Sequence, residues 1–187
     1  MATATVHRHL FTVDDFARMG QTGIFSSSDR VELIDGEILT LNPIGPPHAW
    51  IVNRLVRLLI TRLADTAYVS SQNPIRLGRH TEPQPDVVVA RQRGSAYQEQ
   101  HPEAGDVLLV IEVADSSLLY DRLEKAPRYG RAGIPEMWIV DVGAKTVTVY
   151  TGPGPEGYGR ERIVSGGETV TSTGVAGLRL PVDETFG

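Results

Sequence analysis

Apolar and polar positions along this chain switch between a helical and an alternating period, and the switches mark its elements. Ile51, Val52, Leu55, Leu58, Leu59 and Leu63 recur at helical spacing, which predicts a helix from His48 to about Ala64 behind the rigid loop of Pro43, Gly45, Pro46 and Pro47. Further upstream, Thr12 with Asp15 three residues on resembles a capping box and opens a short amphipathic helix through about Met19. After the SSSD cluster, RVELI and EILTLN flank Asp35-Gly36, a pair that supplies the positive φ angles of a tight hairpin turn. Tyr68 to Leu77 reads as a third strand, and Pro74 assigns it to an edge or a bulge.

In the second half, the β-branched run Val87 to Val89 predicts a buried strand with Asp86 at its start. A loop of mixed polarity, Arg91 to Gly105, leads to a second apolar run, Val107 to Val113, broken only by Glu112. Ser116 and Ser117 suit a helix entry, and the segment to Arg131 reads as helix with Gly133 as its stop. Pro127 conflicts with that reading, because an interior proline removes a backbone hydrogen bond and kinks the helix. Met137 to Val142 and Thr146 to Tyr150 form a hairpin around Gly143-Ala144-Lys145. GPGPEGYG reads as a loop, and short strands follow near Arg160 to Val164 and Thr169 to Thr171.

A chain of 187 residues with 41% hydrophobic content can bury one ordinary core, and it shows neither an internal repeat nor a domain-splitting linker. The expectation is one domain over residues 1–187. No apolar run reaches membrane-spanning length and MATATVHRHLFTVDDF has no apolar signal region, so a cytoplasmic protein without a membrane partner is expected. The absence of cysteine removes disulfide frameworks and thiolate zinc sites. A net charge of -5 opposes a surface that is basic throughout, leaving a local patch of Arg76, Arg79, His80, Arg91 and Arg93 around Asp86.

Glu112 is the first candidate for chemistry, since an unpaired acid inside a buried strand opposes folding far more than the strand gains by packing. If the strands of Asp86 and Glu112 are antiparallel neighbours, two carboxylates stand on one rim of a sheet. Oxygen ligands of this kind suit Mg²⁺ or Mn²⁺, which keep waters and accept phosphate oxygens. Lys125 can add a cation beside such a site. Each residue also has a plainer reading. Glu112 can pair with an arginine, Asp86 can cap a turn, and Lys125 can be solvated or bonded to Asp121 one turn before it. Glu32 can be cross-strand charge decoration, and His48 can serve only the first turn of its helix.

Pro85-Asp86, Glu112-Val113-Ala114 and the downstream Lys125 resemble the PD-(D/E)XK nuclease superfamily, in the variant whose lysine has moved to the following helix. More closely, the chain resembles the bacterial Uma-type restriction endonuclease family, formerly known as a domain of unknown function. The resemblance runs from about Thr12 to Phe186 through ELIDGEI, His48, PIRL, PDVVV and VIEVADSSLLYDRLEKAPRYGRAGIPEMWIVD, the last being the most specific piece. It implies an α/β (α+β) restriction-endonuclease-like core with a central mixed β-sheet flanked by helices. It also implies Mg²⁺-dependent cleavage of DNA. Asp86 and Glu112 would ligate the metal with help from the Val113 carbonyl, Lys125 would act in catalysis, and Glu32 and His48 would support the site. Ala114 stands where the ordinary motif has its lysine, so the chemistry rests on Lys125 reaching back from the helix. Gln84 stands where an acid is common in relatives.

A homodimer is expected, because one small domain cutting both strands of a duplex needs a two-fold partner. Two other readings stay open. One is a non-catalytic nucleic-acid- or protein-binding module that keeps the fold, favoured by the acidic charge and the lack of a long basic stretch. The other is hydrolysis of a different phosphodiester, such as RNA or a nucleotide.

Overall fold

The computed structural model describes residues 7–26 and 28–187. Residues 1–6, the start of the stretch read for an export signal, and Ser27 of the SSSD cluster lie outside the described residues. Helix α1, Val13–Gln21, opens with the expected capping box: Thr12 Oγ1 accepts from the Asp15 N–H at 3.1 Å and Asp15 Oδ2 from the Thr12 N–H at 3.0 Å. Strands β1, Val31–Ile34, and β2, Glu37–Thr40, pair antiparallel around Asp35 and Gly36, whose φ angles of 49° and 81° both lie in the left-handed region. This hairpin forms a sheet of its own. It docks through Leu33, whose N–H and C=O bond Glu82, and through Gly36, whose N–H bonds the His80 carbonyl.

Helix α2, Pro46–Leu63, starts two residues earlier than its apolar stripe suggests. Pro46 and Pro47 occupy its first positions, where no N–H is needed. Leu55 and Leu59 on the inner stripe are fully buried, each contributing about 1.5–3 kcal/mol relative to an exposed side chain.

The central sheet has six strands in chain order: β3, Ala67–Ser71; β4, Val87–Arg91; β5, Val107–Ala114; β6, Glu136–Asp141; β7, Thr146–Gly154; and β8, Gly157–Val164. Only β5 and β6 run parallel, so the sheet is mixed as expected. A parallel pair needs a long crossover, which residues 115–135 provide. Period-two alternation divides the sheet between two cores. Val87, Val89, Leu109, Ile111 and Val113 face α2, together with β9, Thr169–Thr171, β10, Arg179–Pro181, and α5, Val182–Phe186. Val88, Ala90, Val110 and Ala114 face the crossover. Glu112 and Asp86 share the parity of this second set, so both point toward the crossover.

Three sequence expectations need correction. The strand expected to reach Leu77 ends at Ser71, because Gln72 takes φ of 53° and Pro74 cannot donate to a ladder. GPGPEGYG is not a free loop. It carries the end of β7, a tight turn at Pro155-Glu156 and the start of β8. Pro153 is tolerated there because β6 has its end partner at Thr151, so β7 continues with one neighbour only. The helix expected from Ser116 to Arg131 is divided into α3, Leu118–Tyr120, a wide π-turn, Asp121–Lys125, and α4, Ala126–Arg131. In the wide turn the Ala126 N–H bonds the Asp121 carbonyl five residues back. The widening falls immediately before Pro127, which has no N–H to continue a regular ladder. Among the described residues no helix is long and apolar enough to cross a membrane.

Candidate active site

The register Val87↔Ile111 brings the residue before β4, Asp86, opposite Glu112 on β5. The backbone itself orients the two acids. The Val113 N–H donates to Asp86 Oδ2 at 2.8 Å, and the Asp86 N–H meets Glu112 Oε2 at 3.4 Å. In an extended strand a residue's N–H and C=O point to one side, so the Val113 carbonyl faces the same edge as Asp86. His48, in the first turn of α2, closes the arrangement with Nε2 at 3.0 Å from Asp86 Oδ2. Its Nδ1 is buried without a hydrogen-bond partner.

Lys125 reaches this edge from the crossover. Its Nζ lies 3.2 Å from Glu112 Oε1 and 3.5 Å from Glu32 Oε2. Glu32 is fully buried, delivered by the β1–β2 hairpin, and also accepts from the Tyr120 hydroxyl at 3.1 Å and the Gln84 N–H at 3.2 Å. The cross-strand decoration considered for it does not occur. Nor does Asp121 claim the ammonium by hydrogen bonding. It accepts from Ser117 Oγ at 2.6 Å and turns with Lys125 toward the same interior. The hairpin is fixed over the site by Arg128 on α4, whose Nη2 is 2.7 Å from Asp35 Oδ2 in the turn.

Glu32, Glu112, Asp121, Lys125 and Asp86 keep only 0%, 2%, 3%, 5% and 8% of their exposure, so solvent does little to screen them. Burial raises the Glu112 carboxyl to about 8, with Lys125 opposing the shift and Asp121 and Asp86 adding to it. Burial likewise raises Asp121 against the opposing pull of Lys125 and Ser117. For Lys125 burial works against the charge, yet Glu112, Glu32, Asp121 and Asp86 overturn it and hold the ammonium well above the usual lysine range. Lys125 is therefore a fixed cation here, suited to stabilising negative charge rather than to taking a proton.

A cleft of about 690 Å³ opens onto these groups. Leu39 to Gly45 and Arg30 form one wall, while Asp115 to Ser117, Tyr120 and Asp121 form the other. All five side chains singled out in the sequence thus gather at one place: Asp86, Glu112, Lys125 and His48 line the cleft, and Glu32 stands behind Lys125. Of the local basic patch left open around Asp86, two members are neutralised, Arg76 by Glu82 and Arg93 by Asp106. Asp121, Tyr120 and Tyr129 were missed. Tyr129 on α4 donates to Glu112 Oε1 at 2.7 Å. The signal was the four-residue spacing Ser117, Asp121, Lys125, Tyr129, a polar stripe along a segment otherwise read for its apolar residues.

The profile of the Uma2 family, described as "Putative restriction endonuclease", matches residues 13–183. The chain belongs to the Uma2 family. A crystal structure described as "a putative nuclease belonging to DUF820", from Anabaena variabilis, superposes with a TM-score of 0.73 at 18% identity, covering 94% of this chain and 97% of that one. At that identity the likeness concerns the fold, which is the nuclease fold with a central mixed sheet expected above. No curated protein matches the chain. Uma2 membership gives the acid-lined cleft a nuclease-like setting.

Proposed function

We propose that this Uma2 chain is a single-domain, Mg²⁺-dependent endonuclease that hydrolyses DNA phosphodiester bonds and works as a homodimer. The observation that carries the reading is the convergence of Asp86 and Glu112 across adjacent strands with the Lys125 ammonium on Glu112 Oε1. The donor set suits a hard cation. Two carboxylates and a strand-edge carbonyl are few enough for Mg²⁺, which completes its shell with water and phosphate oxygens. Among the described residues no group of three or more His, Cys, Asp or Glu side chains is placed to hold a metal. Asp86, Glu112 and the Val113 carbonyl would hold the ion, with Mn²⁺ as a substitute.

Held by Asp86, Glu112 and the Val113 carbonyl, such an ion would supply polarisation of a phosphoryl oxygen and a more acidic water. The protein's own groups do the rest. The Val113 N–H and His48 orient Asp86. Lys125, held from behind by Glu32, presents a positive charge where negative charge develops on the phosphate.

Plasmid incubated with the purified chain and Mg²⁺ should be nicked, and Asp86→Asn and Lys125→Ala should each nick far more slowly. Equal nicking by all three proteins would sink the assignment. An intact plasmid with retained DNA binding would move the non-catalytic binding module ahead, and cleavage of RNA alone would change the substrate. Light scattering that returned a monomer at cleavage concentrations would remove the dimer.

A further inference from the structure

Glu112 has two carboxylate oxygens, and the fold uses them differently. Oε1 accepts from the Tyr129 hydroxyl at 2.7 Å and from Lys125 at 3.2 Å, whereas Oε2 is the oxygen that meets the Asp86 N–H. Building on the cation reading of the cleft, we propose that Tyr129 is the positioning residue that sets this division: its hydroxyl pins Oε1 and so presents Oε2 to the Asp86 edge, where a divalent cation would be held.

Lys125 alone is poorly suited to that task. Its ammonium is a compact charge on a flexible stem and is shared with Glu32 at 3.5 Å, so it constrains distance more than direction. A tyrosine hydroxyl ends a rigid ring set by two torsions. The Tyr129 side chain is also immobilised. It is 1% exposed, and its neighbour Gly130 packs so closely on β8 that a Cβ there would stand 2.4 Å from the Gly157 carbonyl carbon. Tyr129 does not line the cleft, so it acts through Glu112 rather than on substrate. Groups that orient metal ligands from behind commonly change metal affinity about 10–100-fold when removed.

Calorimetric titration of the full chain with Mn²⁺ tests this, with thermal unfolding of each variant run alongside. Tyr129→Phe keeps the ring and removes only the hydroxyl, and it should bind Mn²⁺ at least about tenfold more weakly while unfolding cooperatively. Tyr158→Phe is the control. That hydroxyl is buried without a partner on the same side of the sheet, and its loss should leave Mn²⁺ affinity unchanged. Wild-type affinity in Tyr129→Phe would overturn the positioning role while leaving the cation reading intact. Equal weakening in both variants would overturn it as well, since general loosening of the core would then explain the loss. Failure of the wild type to bind Mn²⁺, or undiminished binding by Glu112→Gln, would remove the cation reading and the inference with it.

Discussion

Lys125 Nζ and Glu112 Oε1 stand 3.2 Å apart although 13 positions separate them in the chain. Ala114, two residues after Glu112, occupies the strand position that a lysine takes in the ordinary form of the motif the sequence resembles. The crossover therefore returns a cation to the acid it left behind. A buried pair of this kind contributes little net stability when intact but is costly to break, because the surviving charge has no solvent.

Lys125→Met is accordingly expected to destabilise the protein by about 3–5 kcal/mol, since it leaves Glu112 and Glu32 facing each other without their cation. Combining it with Glu112→Gln should cost less than the two single changes summed. Urea denaturation at pH 9, above the value of about 8 at which the folded Glu112 releases its proton, measures both. Strict additivity would mean that the pair is not coupled.

Glu112 also sets a pH dependence. Its carboxyl lies at about 8 in the folded chain against 4.5 as the ordinary value, raised chiefly by burial. Between those values the folded chain keeps a proton that the unfolded chain has released. The stability contributed by this group is therefore full below about pH 4.5 and is lost as pH rises through about 8. Urea melts in a chelating buffer should show wild type weakening from pH 5 to pH 8 on the order of a few kcal/mol more than Glu112→Gln. An identical slope in the two proteins would contradict the buried, protonatable state.

Much of this was legible in the sequence, and the parts that were not have physical reasons. Glu112 stood out because a single acid in Val107–Ala114 breaks an otherwise apolar strand. The Asp35-Gly36 turn and the Thr12 cap were readable because each needs particular residues at fixed offsets. The π-turn was not, since its cause is local but its consequence, Asp121, Lys125 and Tyr129 all directed inward, depends on what α4 packs against. Strand β8 was cut short because Gly and Pro signal a loop by composition, whereas pairing with β7 and contact with α4 decide the matter here. Glu32 was a site residue only through the family resemblance, because a four-residue strand does not by itself reveal which face will be covered.

Glu136 is another buried acid, and it lies outside the cleft. Its Oε1 accepts from Trp138 Nε1 at 2.6 Å, and its Oε2 accepts from Ser172 Oγ at 2.8 Å, the Thr173 N–H at 2.6 Å and the Gly174 N–H at 2.7 Å. It pins the segment after β9 to the central sheet. Glu136→Ala strands these donors and is expected to cost about 3 kcal/mol or more by thermal or urea unfolding. Mn²⁺ affinity of the folded fraction should be unchanged, because none of these hydrogen-bond partners lines the cleft.

Gly130 links packing to the site. Its neighbours across the contact are the Gly157 carbonyl carbon at 2.4 Å, Gly157 Cα at 2.7 Å and the Tyr158 nitrogen at 2.7 Å from where a Cβ would stand, and all three are backbone atoms that cannot rotate away. Gly130→Ala must therefore lift α4 from β8, or shift β8 itself. An alanine on an exposed helix would stabilise through lower chain entropy. Here the overpacking dominates, and a loss of about 1–3 kcal/mol is expected. Because Tyr129 and Lys125 ride on the same segment, the displacement should also loosen Glu112, so Mn²⁺ affinity and melting temperature should fall together. A variant that lost stability but kept wild-type Mn²⁺ affinity would show that the α4–β8 contact does not control the geometry at Glu112.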